Sequence, residues 1–252
     1  MLLRNLVLAI IVLFQTACQY EPPSIEHRRE KIKSMETSAT PSAMERKARS
    51  DARLAAEGVP VNNHLPAIED ASEVRRRTSE EVAWRAMALL VVAAKGEGLE
   101  QPIVDEVVAE YALEPHFTPN ERAFIGNASP TDHERIQFVW RYEAAWTLLW
   151  ALGYVESLGK PTAVCDVPRA VAFLRERSSA TFISDAKLRS LDSLLDEADL
   201  IYRYHWAVVD ARVNGKENPA SLDSGVTMER HYALNWLIGY MDEEWDDIST
   251  DT

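Results

Sequence analysis

Apolar residues recur every three or four positions along most of the chain, which is the spacing of one face of an α-helix. Residues 104–111 are an example, and no stretch alternates with the period of two that a half-buried strand requires. Hydroxyl residues followed three positions later by an acid, a common helix start, occur at residues 78–81, 118–121 and 129–132. Glycine and proline divide the chain into about seven or eight helices. The pattern predicts an all-α fold with a single globular multi-helix domain.

Residues 136–152 and 228–241 carry apolar side chains on every side of the predicted helix, which is typical of a helix at the centre of a domain. Polar side chains nevertheless lie within both stretches: Arg141 and Glu143 in the first, and Glu229, Arg230, His231 and Asn235 in the second. Arg141 and Glu143 are two residues apart, so they point in different directions and cannot pair with each other. Each buried charge needs a partner on another helix or access to solvent, because an unpaired buried charge costs several kcal/mol.

Residues 191–213 form a predicted helix in which apolar and polar positions separate into two stripes. His205 lies at the edge of the apolar stripe, whereas Asp196, Asp199 and Arg203 lie on the opposite, solvent-facing stripe. Asp199 and Arg203 are four residues apart and are placed to pair. Asp196 and Asp199 share a face and could offer two carboxylates to a divalent cation, which makes them the candidate metal ligands.

Two interpretations of these polar residues remain open. In the first, which we expect, a structural network fixes the register of the helices. Its members are Arg141, Glu143, Asp199, Arg203, Arg230 and Asn235. In the second, a polar pocket among the helices carries out chemistry, as a metal-dependent hydrolase would. Its candidate catalytic residues are Glu143, His205, Glu229 and His231.

The first 17 residues resemble a secretory signal peptide. Arg4 is followed by an uncharged apolar run at residues 6–14 and then by small residues. Residues 16–18 resemble the bacterial lipobox, in which a cysteine is acylated, although Gln15 departs from that motif. We expect contact with a lipid bilayer through acylated Cys18. Ordinary cleavage without a lipid and retention of the segment as an anchor are the alternatives.

Residues 18–44 are rich in charges, Ser, Thr and Pro, which predicts a flexible tether. The folded domain is expected to span residues 45–252, where all the tryptophans lie. In a double-membraned bacterium, Gln19 after an acylated cysteine favours the periplasmic face of the outer membrane. An exported protein without the lipid would instead be soluble in the periplasm or secreted.

The chain is acidic, with 27 Lys and Arg against 40 Asp and Glu and a formal net charge of −13. Such a chain repels phosphate backbones, so nucleic-acid binding is not expected. The tether has four basic and four acidic residues, so the acidity belongs to the helical domain, where it would suit the capture of a basic protein partner. Cys165 is expected to be a buried structural thiol, because the acid at Asp166 disfavours the thiolate.

Four motifs in a fixed order resemble the domain-of-unknown-function 4272 family, over roughly residues 45–252. They are WRYEA at 140–144 with LWALG at 149–153, DEADLIYRYHWAVVDAR at 196–212, GVTMERHYALNWL at 225–237 and WDDISTDT at 245–252. The resemblance implies a helical bacterial domain without an assigned activity. No catalytic residue follows from it.

No phosphate-binding glycine loop, zinc-protease motif or nucleophile elbow occurs in the chain. Ser184 and Lys187 have the spacing of serine acyl-enzymes, but Ser184 is better explained as the N-cap of the next helix. The leading hypothesis is a non-enzymatic, envelope-tethered binding protein without a cofactor, for example one that protects against a secreted toxin. A metal-dependent hydrolase and a purely structural envelope protein are the alternatives.

Overall fold

The computed structural model describes residues 24–38 and 40–252. Throughout these residues the regular secondary structure is helical and no strand forms, which confirms the predicted all-α class. The α-helices in chain order are α1 (Ile25–Ser38), α2 (Pro41–Ala56), α3 (Ser79–Glu97), α4 (Gln101–Glu110), α5 (Pro119–Gly126), α6 (Asp132–Val139), α7 (Arg141–Ala151), α8 (Val167–Arg175), α9 (Ser179–Asp185), α10 (Leu191–Val213) and α11 (Ser224–Ile238).

The predicted number of helices is wrong, because ten α-helices rather than seven or eight lie between Pro41 and Ile238. Two causes account for the difference. Helices such as α5 and α9, with eight and seven residues, are too short to show a clear apolar period. The helix predicted over residues 136–152 is also divided, because α6 ends at Val139 and α7 begins at Arg141.

The junction of α6 and α7 depends on two glycines that allow close contact. The Trp140 ring lies on Gly225, where a Cβ atom would come within 2.4 Å of the ring. Gly96 of α3 faces α6 in the same way, because a Cβ there would lie 2.8 Å from the Val139 nitrogen. Larger residues at either glycine would force the helices apart. The two glycines thus hold the divided helix against α3 and α11.

Helix α3 is the centre of the domain. Nearly all of its side chains from Val82 to Ala93 are buried and apolar. It packs mainly against α6 and α7, with the shorter helices α4, α5, α8 and α9 around it. Helix α11 lies between α7 and α10, and α10 packs against α2. This arrangement turns the polar side chains of α7, α10 and α11 into the interior.

Helix starts agree with the sequence at two of the three predicted sites. Thr78 and Thr118 form capping boxes with the acids three residues later, as predicted. The third box begins at Thr131 rather than Ser129. The role predicted for Ser184 is wrong, because this residue lies near the end of α9 and its hydroxyl donates to the Thr181 carbonyl. Ser190 caps α10 instead.

The segment predicted to be a tether contains α1 and the beginning of α2. Arg28 of α1 pairs with Glu243 at 2.7 Å, and Lys31 lies 3.5 Å from Glu69. The predicted signal peptide and Cys18 lie outside the described residues. Within the part of the chain that the structure describes, every helix is too short or too polar to cross a lipid bilayer.

Candidate functional site

Asp199 and Arg203 of α10 form an ion pair that is sealed inside the domain. The Arg203 Nε and Nη2 atoms donate to the two Asp199 carboxylate oxygens at 2.8 and 2.7 Å. Nη2 also donates to the Pro66 carbonyl, and Asp51 of α2 lies 3.5 Å from Nε. The sequence placed this stripe of α10 in solvent. Both residues are buried instead, because α2 and the loop around Pro66 cover that side.

Asp196 does not share a site with Asp199. Its half-exposed carboxylate pairs with Arg49 at 2.6 Å and lies 3.6 Å from Arg46. Asp199 is committed to Arg203, so the two candidate metal ligands have separate cationic partners. No group of three or more His, Cys, Asp or Glu side chains among residues 24–38 and 40–252 is arranged to hold a metal ion.

Arg141 and Glu229 connect α7 to α11. The Arg141 Nη1 atom donates to both Glu229 oxygens at 3.0 and 3.2 Å. Burial raises the pKa of Glu229, and the positive charge of Arg141 acts in the opposite direction. The Glu229 side chain is 3% exposed, but that of Arg141 is 22% exposed. One end of this ion pair therefore reaches the surface.

Glu143 binds backbone rather than a catalytic partner. One of its oxygens accepts the Cys165 N–H at 2.5 Å. The nearby Arg230 donates to the Gly159 carbonyl at 2.8 Å and influences Glu143 only through its charge. Burial, and then the Glu143 charge, raise the pKa of the Cys165 thiol. Cys165 is partly rather than fully buried, and its raised pKa, which disfavours the thiolate, comes from burial and Glu143 rather than from Asp166.

His205 and His231 form a buried pair between α10 and α11. Their Nδ1 atoms are 2.9 Å apart, so one ring donates the proton and the other accepts it. Burial, and then the charge of Arg212, lower the pKa of His205 to about 4. Burial also lowers the pKa of His231. The remaining predicted residue, Asn235, donates to the Ser249 carbonyl. This bond fastens the C-terminal segment, residues 239–252, to α11.

A cleft of about 500 Å³, which we call the Trp245 cleft, opens beside Arg141. The guanidinium carbon of Arg141 lies 4.6 Å from the centre of the Tyr232 ring and 5.9 Å from the centre of the Trp245 ring. Its lining comes from α5, α6, the start of α7, α11 and the C-terminal segment, and consists of Asn120, Glu121, Ala123, Phe124, Asn127, Glu134, Gln137, Phe138, Arg141, Tyr232, Trp245 and Asp246. Three of the motifs noted in the sequence thus meet at one opening.

Glu121 lines this cleft and has one carboxylate oxygen without a hydrogen bond from the described residues. Its Oε2 atom accepts from the Arg85 guanidinium at 2.6 Å and from the Thr118 N–H at 3.0 Å. The Oε1 atom is buried and accepts no hydrogen bond from any residue that the structure describes. The whole residue is 1% exposed. An unsatisfied buried carboxylate oxygen is costly, so a hydrogen-bond donor entering the cleft would be stabilised there.

Sequence reasoning missed Glu121, Arg85 and Trp245 as site residues. Glu121 was explained by its capping box, and that role is correct but uses only one of its oxygens. Arg85 stands alone as a charge within the apolar stretch 82–94, and this could have signalled a buried partner. The Arg85 guanidinium lies 5.2 Å from the Trp245 ring. Trp245 was noted only as part of a family motif.

Comparisons with known proteins give one match. No curated protein and no solved structure matches the chain. The family model described as "Domain of unknown function (DUF4272)" matches residues 46–248, which agrees with the resemblance found in the sequence. The chain therefore belongs to the DUF4272 family.

Proposed function

We propose that this protein is a non-enzymatic binding protein and that the Trp245 cleft accepts a cationic side chain, Arg or Lys, of a basic protein partner. The observation that carries the proposal is the unsatisfied Oε1 atom of Glu121. A guanidinium or ammonium group brings several N–H donors on a positive charge, and charge-assisted hydrogen bonds of this kind are the strong ones.

The charges and rings of the cleft favour the same kind of ligand. Three carboxyl groups line the cleft, and one guanidinium group, that of Arg141, lies among them. The carboxyl groups belong to Glu121, Glu134 and Asp246. The aromatic rings of Phe124, Phe138, Tyr232 and Trp245 surround the space, and aromatic faces attract cations. A cation would therefore meet both negative charge and π-surface.

The partners of the candidate catalytic residues support binding rather than catalysis. Glu229 is engaged by Arg141, and Glu143 by the Cys165 backbone. His205 and His231 bond to each other. A general base or nucleophile has to reach a substrate, and each of these groups already has a partner within the fold. The second Glu143 oxygen has no hydrogen-bond partner in the described part of the chain, but it is buried away from solvent.

The proposal places the protein in the bacterial cell envelope, held to a bilayer by acylated Cys18 on the periplasmic side of the outer membrane. The lipobox-like residues 16–18 support it. Mass measurement of the mature N-terminus tests it: three acyl chains on Cys18 are expected in the wild type and none in Cys18→Ser. A free Cys18 amine and thiol would contradict this part. Neutralisation of a basic secreted toxin is one use of such a protein.

Titration calorimetry with L-arginine methyl ester tests the cleft. L-citrulline methyl ester has the same α-amino group and nearly the same shape without the side-chain charge, and it should bind at least about tenfold more weakly, because hydrogen bonds to charged groups contribute roughly 1.5–3 kcal/mol. Glu121→Gln should weaken the arginine ester by a similar factor. Thermal unfolding of that variant shows whether the domain is intact.

A second variant removes surface charge without disturbing the fold. In Glu134→Gln with Asp246→Asn, the glutamine still completes its capping box and the asparagine still accepts from the Asn120 N–H. We expect roughly a threefold to tenfold loss of affinity for the arginine ester. Glu217→Gln with Asp247→Asn is the matched control, because it removes the same charge and neither residue lines the cleft. Equal binding of both esters would overturn the proposal.

A further inference from the structure

An apolar groove of about 800 Å³ lies apart from the Trp245 cleft, between α4 and α8 and over the C-terminal part of α3. It shares no lining residue with the cleft. Its apolar floor comes from Leu90 and Val91 of α3, and its walls include Ile103, Val107, Val171 and Leu174. A space of this size is typical of a ligand or docking site.

Helix α4 leaves part of its apolar face uncovered at this groove. Val104 is its one fully buried residue, and it faces the core. Ile103 and Val107, four residues apart, point into the groove instead, and Ile103 is 44% exposed. On the opposite wall, Val171 and Leu174 of α8 are three residues apart on one face. Two helices thus present apolar side chains to each other across an open space.

The rim of the groove is acidic. Glu97, Glu106 and Glu110 line it against a single cation, Arg175. Helices α3 and α4 both end here, at Glu97 and Glu110, and helix C-termini carry partial negative charge. The apolar interior and the negative rim together match a ligand that is apolar on one side and basic on the other.

We infer that this groove docks a basic amphipathic helix of a protein partner. Apolar anchors at helical spacing would fill the space between Val107 and Leu174, and flanking Lys or Arg residues would meet Glu106 and Glu110. The site is independent of the Trp245 cleft, so either can fail in experiment without the other.

Fluorescence anisotropy with labelled 18-residue helical peptides tests this inference on the whole chain. One peptide has a Leu face and Lys elsewhere, and a second has the same Leu face with Glu in place of Lys. The Lys peptide should bind saturably and at least about tenfold more tightly than the Glu peptide. Equal affinity of the two peptides would overturn the inference, as would binding of dodecanoate without binding of the Lys peptide.

Substitutions locate the binding. Ile103→Lys should weaken the Lys peptide at least about tenfold, whereas Ile136→Lys should not, because Ile136 is a 57% exposed isoleucine outside the groove. Glu106→Lys with Glu110→Lys should act like Ile103→Lys. The exposed pair Glu45→Lys with Glu217→Lys changes net charge equally and should have little effect. Equal losses in groove and control variants would place the peptide elsewhere and overturn the inference.

Discussion

Two interior ion pairs use the same chemistry in different settings. Asp199 and Arg203 lie next to each other on α10, and neither reaches solvent. Arg141 and Glu229 join two helices, and Arg141 opens into the Trp245 cleft beside two aromatic rings. The charges of the first pair interact only with groups inside the domain. The second lies within reach of a ligand, so location rather than residue type separates structural charge from charge available for binding.

The largest effect should come from breaking the sealed pair. Asp199→Ala strands the Arg203 guanidinium in the interior, which should lower the free energy of unfolding by about 3–5 kcal/mol. Urea denaturation measures it. Asp196→Ala, three residues earlier on the same helix, should change stability by less than about 1 kcal/mol, because its close pair is with the exposed Arg49. The buried Arg46 lies farther away, at 3.6 Å, and keeps its bond to the Glu69 carbonyl. Similar losses for both would show that burial does not govern the cost.

The histidine pair extends the comparison to buried groups that are neutral. The folded pKa of His205 is about 4, and an unfolded histidine has a pKa of about 6.5. Between these values the unfolded chain binds more protons, so stability is full above about pH 6.5 and falls as the pH falls toward 4. The loss attributable to His205 is about 3 kcal/mol.

Denaturation of wild type and His205→Gln across pH 4–7 isolates the contribution of the histidine pair, because groups outside the pair titrate alike in both proteins. The glutamine amide can still bond to His231. As the pH falls from 7 to 4, the unfolding free energy of the wild type should decrease more than that of the variant. Parallel pH profiles would contradict the assignment.

The smallest effect should come from the open pair. Glu229→Ala should cost about 1–3 kcal/mol, less than Asp199→Ala, because Arg141 can turn to solvent and keeps its contacts with Tyr232 and Trp245. Glu229→Gln should cost less still, since its amide oxygen can accept from Arg141. Thermal unfolding of both variants measures the order. A loss for Glu229→Ala as large as that for Asp199→Ala would remove the distinction between the pairs.

Sequence periodicity predicted the fold where helices are long. The bounds of α10 agree with the predicted residues 191–213, because a long two-striped helix shows its period clearly. It failed at Trp140, where the break between α6 and α7 depends on a ring packed against Gly225, a residue distant in sequence. Contacts of that kind leave no local pattern.

The candidate site was only partly predictable. Embedded charges such as Arg141 and Glu229 stood out against their apolar surroundings, and the structure gives each a partner on another helix. Asp199 and Arg203 were predicted to face solvent, because the sequence around them does not indicate that α2 covers them. Glu121 looked like an ordinary cap. Its free oxygen becomes visible only when α3 brings Arg85 to one side of the carboxylate.

Helix α1 has a consequence for a lipid-anchored molecule. A fully extended tether over residues 18–44 could hold the domain roughly 90 Å from the bilayer. Helix α1 begins at Ile25, however, and the seven residues from Cys18 to Ile25 can span only roughly 25 Å. The bond from Arg28 to Glu243 fastens α1 to the body of the protein. An anchored molecule would then stand close to the membrane with a restricted orientation, so its partners would have to approach along the bilayer surface.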